Sequence, residues 1–264
     1  MQSLNYGVKA SKVFYPHIKF KLPISSLPLI WFGKPREVMK IDRDDIAKLK
    51  NNEKTFLKKS LNLKNINHYK NKIKTIKSYL KAGDVYQINY TQPMEYDLDK
   101  ISAFDLFIKL FTTSKPKFGT YLDTGGFQIL SMSPENFFTK RKNSISSSPI
   151  KGTNKRSNEP QKDERLKKEL INSEKDRAEH LMIVDLIRND LGKICNFGSI
   201  ETKNLFKVHS FKTIHHMVTE ISGKLKFNIE EKDIFQALFP GGSITGAPKE
   251  SSMKIIDEIE GYSR

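Results

Sequence analysis

From about residue 65 onward, strand-like and helical segments of this chain interleave without a regular βαβ period, and no internal repeat relates them. A doubly wound parallel sheet needs a crossover helix between successive strands, so the pattern predicts an antiparallel-rich α+β fold. The helices are the plainest elements. Ile66, Tyr69, Ile73, Ile76 and Leu80 recur at helical spacing ahead of Gly83, residues 103 to 111 fit a short helix, and a helical half begins at Pro160. That half runs through DERLKKELINS and resumes as EKDRAEHLMIVDLIRNDLG, with Gly192 as its expected stop. DVYQINYTQPMEY is rich in β-branched and aromatic residues and reads as a strand. FGTYLDT and FQILS flank Gly125–Gly126 as a hairpin, and ENFFTKR and SISSSPI meet in a second turn at Lys142–Asn143. SIETKNLFKVHS and IHHMVTEISGKL give two more strands, and PGGSITGAPKESSMKIIDEIE gives a Gly-rich loop entering a final helix near Pro248. On this reading SSPIKGT ends a strand, where the chain leaves the sheet and side chains reach a site.

The N-terminal quarter differs. Residues 1 to 40 suggest short strands broken by Pro16, Pro23, Pro28 and Pro35, and residues 41 to 65 a polar, Lys- and Asn-rich linker. Lys+Arg number 46 against 30 Asp+Glu, a net charge of +16 that would permit a nucleic-acid partner. Yet only 8 of the 46 are arginines and the lysines are scattered, so the excess reads as solvated surface charge and no nucleic-acid partner is expected. Cys195 is the only cysteine, which rules out an intrachain disulfide and suits a reducing compartment. The first residues carry no apolar signal segment, and no run of about 18 apolar residues occurs, so a cytoplasmic protein without a membrane partner is expected.

Three segments hold residue types suited to chemistry. In DRAEHLMIVD, Asp176 and Glu179 are three apart and share a helical face, so two carboxylates can converge. Oxygen ligands this few suit Mg²⁺, which keeps waters and completes its shell from an anionic substrate, although spacing alone favours a solvated first turn. PGGSITGAPK looks like a phosphate loop but fails the pattern, because Gly246 is followed by Ala-Pro-Lys. Its N–H groups, hydroxyls and Lys249 suit a carboxylate as well as a phosphate, while a tight turn would explain Gly241 and Gly242. His215 and His216 are adjacent in a strand, so at most one faces a given pocket.

Taken in order and spacing, GDVYQINYTQ, SMSPENFF, SSPIKGT, DRAEHLMIVDLIRNDLG, IHHMVTEISG and PGGSITGAPKESSMKIIDEIE resemble the chorismate-utilising enzymes. That family comprises anthranilate synthase component I, aminodeoxychorismate synthase component I and the isochorismate and salicylate synthases. The resemblance covers about residue 65 to the end and, more weakly, the first 40 residues. It implies the family's fold, antiparallel sheets packed face to face with helices outside. Residues 1–64 would be a remnant of the N-terminal region plus linker, and 65–264 the chorismate-binding catalytic domain, truncated at its C-terminus. Two positions sort the chain within the family. Gln87 stands where water-adding members carry an activating lysine and ammonia-using members carry glutamine. Lys151 gives PIKGT, the pattern of lysine-type aminodeoxychorismate synthases, where anthranilate synthases read PIAGT.

The resemblance implies that the Lys151 amine attacks C2 of chorismate as the C4 hydroxyl leaves, and that ammonia then attacks C4 and expels the lysine. Glu135 of SPE matches the family's acidic position and is the expected general acid/base, and His216 matches the histidine that faces the ring. Glu179 matches the Mg²⁺-ligating glutamate, with Asp176 as a water-mediated partner. Gln87, Gly152, Thr153, Gly242, Thr245, Gly246 and Lys249 are expected to bind substrate. Ammonia would come from a separate glutamine amidotransferase subunit, and the product would serve 4-aminobenzoate and folate biosynthesis. Two alternatives remain: anthranilate synthase component I of tryptophan biosynthesis, and a non-catalytic truncated homologue. Family members continue past the GAPK helix to further substrate and Mg²⁺ ligands, so the chain is expected to be truncated at both ends and inactive alone. The apolar face of its last helix, with Met253, Ile255, Ile256 and Ile259, is expected to be left bare.

Overall fold

The computed structural model describes residues 39, 42–48, 66–96, 98 and 101–262. Along the chain the elements are α1 (Arg43–Lys48), α2 (Ile66–Ala82), β1 (Gln87–Ile88), α3 (Ala103–Ser114), β2 (Phe118–Asp123), β3 (Gln128–Ser133), β4 (Asn136–Arg141) and β5 (Ser144–Ser148). There follow β6 (Ile150–Lys155), α4 (Pro160–Asn172), α5 (Glu174–Ile194), β7 (Glu201–Ser210), β8 (Ile214–Lys224), α6 (Glu231–Leu238), α7 (Gly242–Thr245), β9 (Gly246–Ala247) and α8 (Lys249–Glu260). The strands expected over residues 1 to 40 lie outside the described residues, as does most of the expected linker; within the latter, α1 is helical. None of the described helices is long and apolar enough to cross a membrane.

The chain divides into two compact units. One holds the described residues up to Tyr69 together with Pro93–Asn136. Its helix α3 starts at Ser102, whose hydroxyl accepts the Asp105 N–H at 3.0 Å, and its Phe104 and Phe107 rings lie 5.3 and 5.6 Å from Tyr121 on β2. Strands β2 and β3 form the expected hairpin, with Asp123 opposite Gln128.

The other unit, Lys70–Gln92 and everything from Phe137, is built around β8. Strands β5 and β6 pair antiparallel with successive halves of one edge of β8, β7 with its other edge, and β4 lies beyond β5. The β4–β5 turn falls at Lys142–Asn143 as expected, with Lys142 in the left-handed region. On α5, Ile183, Val184, Ile187, Leu191 and Ile194 recur at helical spacing and pack with Ile145, Ile221 and Leu225 of the sheet side and with Ile234 and Leu238 of α6. Burial contributes roughly 1.5–3 kcal/mol for each such side chain. Helix α5 is therefore fixed against the sheet, and its first turns become a rigid platform.

Four details depart from the sequence reading. Gly192 does not stop α5, which runs on to Ile194 until Cys195 turns extended and bridges to Leu225. DVYQINYTQPMEY yields only the two-residue strand β1, paired with β9, beyond which the Asn89 N–H still donates to the Thr245 carbonyl at 2.8 Å. SSPIKGT does not end a strand: Pro149 interrupts the chain for one residue, and β6 then continues along β8. The apolar face of α8 is not bare. Met253, Ile255, Ile256 and Ile259 are all buried; Ile255 and Ile259 pack with Ile76 and Val85, which α2 and the segment after it supply.

Candidate active site

Lys151 owes its position to an irregularity in the sheet. Ile150 lies opposite Val218 but Thr153 opposite His216, so the register of β6 against β8 slips by one residue across Lys151–Gly152. Gly152 takes φ +84, a left-handed conformation that glycine adopts without strain. A Cβ there would stand 3.2 Å from both the Asp176 Cβ and the Leu170 Cδ1. The bulge thus runs close under the start of α5 and brings Lys151 and Asp176 into one neighbourhood.

Around this bulge the polar side chains are specifically held. The Lys151 ammonium donates to Asn89 Oδ1 at 3.2 Å, and Asn89 Nδ2 donates to the Ser243 carbonyl at 2.9 Å. Gln87 Nε2 stands 3.4 Å from the same Asn89 oxygen, while Gln87 Oε1 is buried without a hydrogen-bond partner. Thr153 Oγ1 lies 2.8 Å from His216 Nδ1, and burial lowers the His216 pKa, with a smaller opposing pull from the Gly152 backbone. His215 points the other way, to Ser210 and Asp163, so one histidine of the pair faces the bulge, as strand alternation requires.

His180 lies fully buried one turn beyond Asp176. Its Nε2 is 2.7 Å from Thr219 Oγ1, which in turn accepts the Phe206 N–H at 3.2 Å. Burial pushes its pKa down to about 4, against a weaker pull from the Lys151 backbone, yet its Nδ1 makes no hydrogen bond of ordinary geometry. The folded-state pKa lies below the ordinary 6.5, so the unfolded chain binds the proton more readily between those values. His180 accordingly stabilises the fold fully above about pH 6.5, and this stability should fade as the pH drops toward 4. Denaturant midpoints measured across that window check it: His180→Gln should flatten the pH dependence.

Asp176 and Glu179 share a half-buried side of the first turns of α5. Ser173 Oγ donates to Asp176 Oδ2 at 2.5 Å, and Glu179, with a side chain 42% exposed, is 3.8 Å from Lys175. Among the described residues no group of three His, Cys, Asp or Glu gathers to hold a metal. Two carboxylates beside an accessible bulge nevertheless fit a hard cation such as Mg²⁺, whose remaining shell would be water and substrate oxygens.

The Gly-rich segment supports the site from behind. Gly246, at φ +144, passes so close to the Gln87 carbonyl that a Cβ would stand 2.1 Å from that oxygen, and this contact lets β9 pair with β1. Gly242 is buried against Leu186, and the Thr245 hydroxyl is buried and donates to the Gly241 carbonyl at 3.1 Å. Lys249 is not brought to the bulge: its ammonium is buried against Asp190 Oδ2 at 2.5 Å. Glu135 belongs to the other unit, in the turn between β3 and β4, where its carbonyl accepts from Ser133 Oγ at 3.0 Å. Sequence reasoning missed Asn89, His180 and Asp190. Only Asn89 left a usable signal, two residues past Gln87 and so on the same side of an extended chain.

Comparison with known proteins places these residues in context. The family profile described as chorismate binding enzyme matches residues 33–264. The aminodeoxychorismate synthase component 1 of Salmonella typhimurium is 42% identical over 198 residues, 74% of this chain and 43% of that protein. An anthranilate synthase component 1 of Haloarcula marismortui is 37% identical over 198 residues, 74% of this chain and 40% of that protein. The chain thus spans less than half the length of these curated relatives. Among solved structures, anthranilate synthase component I from Streptococcus pneumoniae superposes with a TM-score of 0.69 at 24% identity, over 81% of this chain and 46% of that one. This last likeness supports the α+β fold with its antiparallel sheets.

Proposed function

The chain belongs to the chorismate binding enzyme family, and on that premise we propose that the protein carrying it aminates chorismate at C4, as an aminodeoxychorismate synthase component I does. One observation carries the reading: at the left-handed bulge of Gly152 the Lys151 amine meets Asn89 Oδ1, which Gln87 Nε2 also approaches, and the Thr153–His216 pair follows next along the strand. The 42% identity to the Salmonella typhimurium enzyme supports the same choice.

In this mechanism the Nζ lone pair of Lys151 bonds to C2 of the ring, both double bonds of the conjugated ring diene shift by one position toward C4, and the C4–O bond breaks. The hydroxyl leaves as water with one added proton, which the SPE motif assigns to Glu135, and the new secondary amine sheds a proton. Ammonia then bonds to C4 and sheds a proton, both double bonds shift back, and the C2–Nζ bond breaks as Nζ takes up a proton, which restores Lys151. His216, whose pKa burial lowers, offers a ring nitrogen that can donate or accept, and Thr153 fixes its orientation. Glu179 and Asp176 would hold Mg²⁺, which would supply positive charge for a substrate carboxylate. A glutamine amidotransferase subunit is the proposed source of ammonia, and the cytoplasm the proposed compartment.

The 37% identity to an anthranilate synthase supports the alternative, amination at C2 with loss of pyruvate. The two part cleanly in one assay. Full-length protein given chorismate, Mg²⁺ and ammonium at alkaline pH should form 4-amino-4-deoxychorismate and release no pyruvate. Stoichiometric pyruvate with a fluorescent anthranilate product would overturn the proposal.

A further inference from the structure

The amide of Asn89 is oriented by the Ser243 carbonyl, and its oxygen faces two further polar side chains. Its Nδ2 donates to the Ser243 carbonyl at 2.9 Å, an atom that can only accept. Its Oδ1 receives Lys151 Nζ at 3.2 Å and Gln87 Nε2 at 3.4 Å, and both of those can donate. A flipped amide would set its oxygen against the Ser243 carbonyl oxygen, so that contact fixes which way the amide points. The backbone of the residue is tied as well, because its N–H donates to the Thr245 carbonyl at 2.8 Å. Asn89 is thereby bolted to the segment around α7, and its oxygen stands at a fixed point beside the lysine.

We propose that Asn89 is a positioning residue whose Oδ1 holds the Lys151 amine in the direction of attack. The inference rests on the amination reading of the site. A lysine side chain has four rotatable bonds and gives up rotamer freedom when held. A rigid acceptor close to Nζ restricts that freedom before substrate arrives, which is where orientation lowers a barrier. The chemistry of the acceptor matters too. A carboxylate would stabilise the ammonium and so hold the proton on, whereas an amide oxygen accepts one N–H without adding a charge. A neutral amine has two N–H bonds, and one given to Asn89 turns its lone pair away from the Asn89 oxygen.

The test uses the full-length protein with chorismate, Mg²⁺ and ammonium. Asn89→Val keeps the size and the backbone N–H but removes the acceptor, and Asn89→Ser, whose hydroxyl is too short to take the place of the amide oxygen, guards against a folding failure of the first. Both should lower kcat roughly 10–100-fold while chorismate KM stays within about threefold. Without ammonium, the covalent adduct on Lys151 should form more slowly by the same factor. If a folded variant keeps kcat within about threefold of the unsubstituted protein, or loses kcat and chorismate affinity in proportion, the inference is overturned. Failure of the unsubstituted protein to aminate C4 would instead strike the amination reading itself, and the inference with it.

Discussion

Replacing Lys151 with alanine should lower formation of 4-amino-4-deoxychorismate by on the order of 10³-fold or more while leaving chorismate KM within a few-fold. The asymmetry follows from where the side chain sits. The bulge is set by Gly152, not by Lys151, and its closeness to Asp176 and Leu170 involves the glycine, so the local backbone should survive the substitution. Thr153 still meets His216, and Asn89 still donates to Ser243, so the surroundings of the missing amine remain ordered. What disappears is the nucleophile, an interaction made in the transition state and not in ground-state binding. Alanine also recreates the PIAGT pattern, so slow amination at C2 is the expected residual activity. Intact-mass analysis of the unsubstituted protein without ammonium should show an adduct on the peptide containing Lys151, lost when ammonium is added. A Lys151→Ala protein that makes the C4 amine at near the original rate would remove Lys151 from the chemistry.

The parts of this molecule legible in its sequence are those governed by period and local turn chemistry. Helices α2 to α5, the Gly125–Gly126 hairpin and the Lys142–Asn143 turn all lie where spacing and turn residues put them. What escaped was set by partners distant along the chain. Gly192 reads as a helix stop, yet α5 continues because Ile194 still has the sheet to pack on. The last helix reads as bare because nothing nearby in sequence covers it; its cover, Ile76, comes from α2. The same division holds at the candidate site. Lys151, Asp176, Glu179 and His216 stood out through motif and residue type. Asn89 did not: its spacing from Gln87 gives only a shared side of the chain, and its role comes from what faces it, a lysine 62 positions later and a carbonyl 154 positions later.

Lys249 presents the opposite case, a motif residue whose place in the structure argues for stability. Its ammonium is buried against Asp190 Oδ2 at 2.5 Å and is 3.4 and 3.3 Å from the Ala237 and Leu238 carbonyls. Burial pushes the Lys249 pKa down, and the Asp190 carboxylate opposes that shift. Asp190→Asn should therefore destabilise the protein by about 3–5 kcal/mol, the cost of a buried charge without its counter-ion. Spread over a domain of this size, that is a drop of roughly 6–20 °C in Tm. Lys249→Met should cost less, because the carboxylate it abandons still has Lys193 at 2.8 Å on the half-open side. Combining Lys249→Met with Asp190→Leu should recover much of the loss, since two apolar groups of similar volume replace a pair that only just offsets its own desolvation. A double variant no more stable than Asp190→Asn, or an Asp190→Asn shift below about 1 kcal/mol, would show that the pair carries no such energy. The consequence would also reach the site. Lys249 opens α8 directly after the segment whose Ser243 and Thr245 carbonyls hold Asn89, so loosening that anchor should slow amination even where the protein stays folded.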